Sequence, residues 1–225
     1  MKKTLISLRH IYAGLLLSAV TFQLAAQTDS LVNMPNLLLP KFTKSVVKLK
    51  SGKVNTAVLN YNKVDQEMVF LQNKQTLILN EPQLIDTVFM ANRTFVPFEK
   101  GFYELAVKAP VTLFIQHKSY VEFEGYPTLY GAKSQTTAPS YVRQIYGSNG
   151  AIDLKIPKGY KVVDDTQFWI RKIDAMTIFD TKREFLKIFP GKEKELNQFI
   201  SKNKVNFDNY EDVVKLVTYC NEISK

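Results

Sequence analysis

Between Ser45 and Phe179, two-residue turn signals recur at a spacing of about eight to ten residues, and this spacing constrains the fold more than any other feature. Ser51-Gly52 separates Ser45–Leu49 from Val54–Asn60, Asn73-Lys74 separates Met68–Leu71 from Thr76–Leu79, and Asn92-Arg93 separates Asp86–Ala91 from Thr94–Phe98. Lys100-Gly101 then precedes Phe102–Val107, and Pro110 precedes Thr112–Tyr120. Connections this short leave no room for crossover helices, so successive strands must pair antiparallel. The pattern predicts a meander rolled into a sandwich or a barrel.

From Tyr126 to Asn149 apolar periodicity is absent, and a Gly, Ser, Thr and Tyr mixture predicts a long loop. Strands are expected again at Ile152–Ile156 and Phe168–Ile173. The last 45 residues change period. Thr181 and Glu184 form a capping-box pair ahead of Phe185, Leu186, Ile188 and Phe189, with Pro190-Gly191 as a stop. Leu196, Phe199 and Ile200 mark a second helix, and Asp208 with Glu211 caps a third carrying Val213, Leu216, Val217 and Cys220. The fold class is therefore α+β: an antiparallel β-rich domain over 44–179, with its loop at 126–149, and a C-terminal helical cap over 180–225. One apolar side on each helix requires a partner, and the β-domain is the expected one.

The amino terminus reads differently. Lys2, Lys3 and Arg9 precede an apolar stretch, Ile11 to Phe22, and then Ala25-Ala26. This is the layout of a secretory signal peptide over 1–26, with cleavage expected between Ala26 and Gln27 and a lead-in segment over 27–43. The apolar stretch is shorter than the roughly 20 residues that span a bilayer. An exported protein of the periplasm or outer-membrane surface of a Gram-negative bacterium is expected, with no integral membrane span after cleavage.

Losing Lys2, Lys3 and Arg9 lowers the formal net charge from +9 to +6. That excess is too small for a nucleic-acid footprint, and export argues against one. Lys48, Lys50 and Lys53 lie in a stretch without acidic residues and are candidates for contact with an anionic surface. Cys220 is the single cysteine, so no disulfide can staple the chain internally, and its place on an apolar helix face predicts a buried side chain.

Catalytic signals are sparse. After cleavage His117 is the single histidine and the only candidate general base, so neither a metal site nor any other cofactor is expected. Ser45-Val46-Val47-Lys48 matches Ser-x-x-Lys, but a strand period sends Ser45 and Lys48 to opposite faces. Glu122 and Glu124 share a strand face, as solvated neighbours do. The best binding candidates are Tyr126, Tyr130, Tyr141 and Tyr146, interleaved with small polar residues. Tyrosine offers contact area with a polar tip, which suits a glycan or peptide.

Two segments carry a resemblance. Ile85-Asp86-Thr87-Val88-Phe89 with Arg93 to Pro97, and the tail Phe185-Leu186-Lys187-Ile188-Phe189-Pro190 with Glu211 to Asn221, resemble recurring elements of uncharacterised exported proteins of Gram-negative bacteria. The resemblance implies export and supplies no catalytic residues. Three functions are expected from these readings: a non-catalytic binder of a glycan, peptide or envelope protein, a hydrolase using His117, or a structural component of envelope assembly.

Overall fold

Alternation fixes the first strand. In β1 (Thr43–Leu49) Ser45 and Val47 are buried while Lys44 and Lys48 are exposed, so the period is two and the Ser-Lys match is split across the sheet. The structure, a computed structural model, describes residues 34–73, 75–99, 101–108, 110–127, 133–134, 152–173 and 175–223. β1 is followed by β2 (Val54–Asn62), β3 (Glu67–Gln72) and β4 (Gln75–Ile78), each antiparallel to the last. Gly52 in the first turn has φ 85°, which glycine adopts without strain.

A 3-10 turn at Pro82–Leu84 then returns the chain to the other side of β1. From there a second meander runs through β5 (Ile85–Met90), β6 (Arg93–Phe98), β7 (Gly101–Val107) and β8 (Val111–Gln116). The expected strand Thr112–Tyr120 stops at Gln116, before His117. β9 (Ser119–Phe123) leaves the sheet and pairs with β12 (Tyr160–Asp164), enclosing a two-residue ladder of β10 (Tyr126–Pro127) with β11 (Lys133–Ser134). β13 (Gln167–Lys172) rejoins beside β8, and β14 (Ala175–Phe179) forms the edge.

The ten-stranded sheet has the order β14-β13-β8-β7-β6-β5-β1-β2-β3-β4. It is antiparallel throughout, as expected, and its ladder does not close into a barrel. It curls instead. The Tyr61 hydroxyl donates to Phe102 O at 3.2 Å, and Ser119 N donates to Lys63 O at 3.0 Å, so the β2–β3 turn meets the far limb of the sheet. At this seam a Cβ on Gly101 would lie 3.0 Å from Gln66 O, too close for comfort.

Curling creates an inner core of Val47, Leu59, Tyr61, Met68, Val88, Phe95 and Phe102. Each such burial is worth about 1.5–3 kcal/mol. The outer side of β2 and β3 is covered by the lead-in: Leu37 and Phe42 pack with Val69, Ile152 and Leu154. Buried asparagines fasten it. Asn60 Oδ1 accepts from Leu39 N and its Nδ2 donates to Leu39 O, while Asn36 Nδ2 donates to Leu154 O. Ile152–Ile156, expected as a strand, contributes a bridging contact in which Ile152 N donates to Thr76 O.

The cap comprises α1 (Lys182–Lys187), α2 (Glu193–Asn203) and α3 (Tyr210–Glu222). Thr181 accepts from Glu184 N, as the capping box predicts. For α3 the cap lies one residue later than expected. Asn209 accepts from Asp212 N, in place of the Asp208 and Glu211 pair. Phe185, Leu196, Val213, Leu216, Val217 and Cys220 bury against Leu113, Ile115, Phe168, Ile170 and Phe179. Asn221 completes the dock: its Oδ1 accepts from Val111 N and its Nδ2 donates to Val111 O, both at 2.9 Å, imitating a strand partner. Among the described residues no helix is long and apolar enough to cross a membrane.

Candidate functional site

His117 enters the interior. It is 5 % exposed, and its Nε2 lies 2.6 Å from Oε2 of Glu104, itself 1 % exposed. At that distance from a carboxylate Nε2 carries the proton and donates. Arg93 Nη1 sits 3.0 Å from the same oxygen, and the Tyr210 hydroxyl donates to Glu104 Oε1 at 2.7 Å. Phe95 and Tyr61 flank the imidazole at 6.2 and 6.4 Å. Burial alone would raise the Glu104 carboxyl, but the hydrogen bond and charge of His117, with Arg93 and Tyr210, outweigh it and hold Glu104 below the usual carboxylate range. Among the described residues His117, Arg93 and Tyr210 each direct a donor at this carboxylate. The cluster ties α3 to β7 and presents no free catalytic lone pair on Nε2.

The lysines are placed by the sheet. Lys48 pairs with Asp86 Oδ2 at 3.0 Å, because β5 lies beside β1 and brings an acid into a stretch that has none in sequence. That pairing, with the Thr87 hydroxyl, lowers the Asp86 carboxyl. Lys50 lies in the turn after β1, and both Lys50 and Lys53 are exposed. Glu122 and Glu124 are both bridged by Lys161, at 3.0 and 3.5 Å. Of the candidate tyrosines, Tyr126 belongs to β10 by its backbone. Its side chain, together with Tyr130, Tyr141, Tyr146 and the cleavage position Ala26 and Gln27, lies outside the described residues. Among the described residues no cluster of three metal-ligating side chains occurs.

A different site lies on the outer face, at the seam. Phe98 on β6 and Tyr103 on β7 stack with centroids 4.5 Å apart, and Tyr103 contacts Trp169 of β13 at 6.1 Å. Trp169 also pairs across strands with Phe114, whose ring lies under Arg171 at 4.9 Å. These rings share a face because Tyr103, Phe114 and Trp169 occupy the positions that alternate with the inward Phe102, Leu113 and Phe168. They end at a notch of about 170 Å³ lined by Asp65, Gln66, Phe98, Glu99, Gly101, Tyr103 and Gln116.

The notch has a fixed floor. Trp169 Nε1 donates to Gln116 Oε1 at 3.2 Å, and Gln116 Nε2 donates to Gln66 Oε1. The amide of Gln66 retains donor capacity at Nε2 after accepting that bond. Gln66 and Glu99 both adopt left-handed backbone, with φ 59° and 50°. Non-glycine residues take up this region at a cost that clusters at functional sites. Burial raises the carboxyls of Asp65 and Glu67, and the Asp65 charge raises Glu67 further. Glu67 Oε2 is shut off from solvent and has no hydrogen-bond partner among the described residues.

Sequence reading passed over this notch. Its residues come from β6, β7, β8 and the β2–β3 turn, and only the curl of the sheet brings them together. The single tryptophan, surrounded by polar Gln167 and Arg171, was the available signal. Compared with protein-family models, with curated proteins and with solved structures, the chain matches none.

Proposed function

We propose that the protein is an exported, non-catalytic binding protein of the periplasm or outer-membrane surface, and that it captures a glycan at the seam notch. The amino-terminal pattern of basic residues, apolar stretch and small residues supports export, as does the resemblance to exported proteins. The binding reading is carried by one observation: the half-buried ring of Phe98, stacked on the buried Tyr103 with half-buried Trp169 beyond, walls a small notch whose other walls are amides and carboxylates. Aromatic faces with a few placed polar groups are how sites combine contact area with orientation.

The two competing readings have less support. A general base must offer its lone pair to an accessible substrate, whereas His117 is buried and its Nε2 is occupied by Glu104. An assembly component would display the apolar side of its tail, whereas that side is buried on β8, β13 and β14.

Glycan-array capture by the full chain tests the proposal. Trp169→Ala and Phe98→Ala are expected to abolish capture with the far-ultraviolet circular dichroism spectrum retained. A Tyr126→Ala, Tyr130→Ala, Tyr141→Ala triple variant is expected to retain it. Loss in the triple variant alone would move the site to the tyrosine segment.

A further inference from the structure

We infer that the glycan taken by this notch carries a free, protonated amino group, so that the ligand is an amino sugar and not a neutral one. The inference rests on the glycan reading above and concerns its charge. Asp65 and Glu99 line the notch, and no described lining residue is a cation. Among the described residues the donor on Asp65 Oδ2 is a neutral one, Asn62 Nδ2 at 2.8 Å. Glu67, beside Gln66, keeps Oε2 buried and without a partner among the described residues. Two acidic side chains, Asp65 and Glu99, thus line one small space, and among the described residues that line it no positive charge answers them.

An ammonium group there would meet two complementary fields. The carboxylates attract it through a medium less polar than water, and the half-buried ring of Phe98, backed by the buried Tyr103, attracts cations through its quadrupole. Burial is what pushes the Asp65 and Glu67 carboxyls up, with the Asp65 charge adding to Glu67. A lysine side chain offers the same ammonium, but a thin alkyl chain would leave the amide of Gln66 unused. A sugar ring lays its apolar face on Phe98 and gives a hydroxyl to that amide. A space of about 170 Å³ suits one ring.

The test is calorimetric titration of the full chain with three probes: a β-1,4-linked glucosamine tetrasaccharide, its fully N-acetylated counterpart and a tri-lysine peptide. The glucosamine probe is expected to bind at least about tenfold more tightly than the acetylated one. In an Asp65→Asn, Glu99→Gln variant that ratio is expected to fall to about one. Equal or tighter binding of the acetylated probe to the unaltered chain would overturn the inference and leave the glycan reading standing. Tri-lysine binding as tightly as the glucosamine probe would overturn the choice of a sugar. Failure of both saccharides to bind would overturn the inference and count against the glycan reading itself.

Discussion

Glu104 on β7 and His117, one residue beyond β8, close to 2.6 Å, and Tyr210 from α3 takes the remaining carboxylate oxygen at 2.7 Å. Sheet and helical cap therefore meet in one buried ionic cluster. Removing one member of such a cluster leaves its partners desolvated and unmatched, which costs about 3–5 kcal/mol. Glu104→Ala is expected to lose that much in urea unfolding, and Tyr210→Phe about 1.5–3 kcal/mol. Because both act on one carboxylate, the double variant is expected to lose less than the two losses added together.

The same carboxylate sets an acid dependence. Its pKa is held low in the folded state, so its contribution is present above the ordinary carboxylate range and is lost as pH falls through the depressed folded value. The urea midpoint of the unaltered protein should fall as the solution is acidified across that range. Glu104→Ala should show a shallower decline over the same pH interval.

Asp65 and Glu67 have the opposite sign. Their carboxyls are raised in the folded state, so each costs stability above its folded pKa and the cost is recovered as pH falls. Asp65→Asn and Glu67→Gln are expected to raise the neutral-pH unfolding midpoint, each by under about 1 kcal/mol because solvent screens half-buried charges. Asn at 65 keeps an acceptor for Asn62. Stabilisation together with lost capture would identify residues retained for binding at the expense of stability.

Asn221→Ala removes both bonds to Val111 and leaves its amide and carbonyl without that partner. A loss of about 2 kcal/mol is expected. Amide hydrogen exchange at Val111 should accelerate in this variant more than exchange in β1.

Burial pushes the Cys220 thiol up to about 12, so the nucleophilic thiolate is scarce at neutral pH. Alkylation by iodoacetamide at pH 8 should follow global unfolding, with rates rising across the urea transition. Rapid labelling of the native protein would contradict the packing described for α3.

Much of the fold was legible because turn chemistry is local. Ser51-Gly52, Asn73 and Asn92 stand at turns where Gly52, Asn73 and Asn92 all take positive φ. β12 was missed despite Gly159 at φ 85° ahead of it, because Tyr160–Asp164 lacks clean alternation, and β14 was missed for want of both signals. In β14 the burial pattern shows only Phe179 fully enclosed, since an edge strand has little core to face. The α3 cap was misplaced by one residue because Asp208 and Asn209 are both good cap residues, and tertiary docking of Tyr210 decides between them. The buried asparagines gave no warning, because nothing local distinguishes Asn60 from a turn residue. The notch was invisible for a topological reason: Gln66 and Gly101 meet only when the sheet curls.

The fastening of α3 by Tyr210 at one end and Asn221 at the other also sets an order of events during synthesis. β8, β13 and β14 emerge before the helices that cover them, so Leu113, Phe168 and Ile170 stay bare until nearly the whole chain is available. A product ending ahead of Tyr210 would hold a paired sheet with one uncovered apolar face, a species that sticks to its own kind. Completion of the polypeptide, more than pairing of its strands, is therefore the step that makes the second core safe.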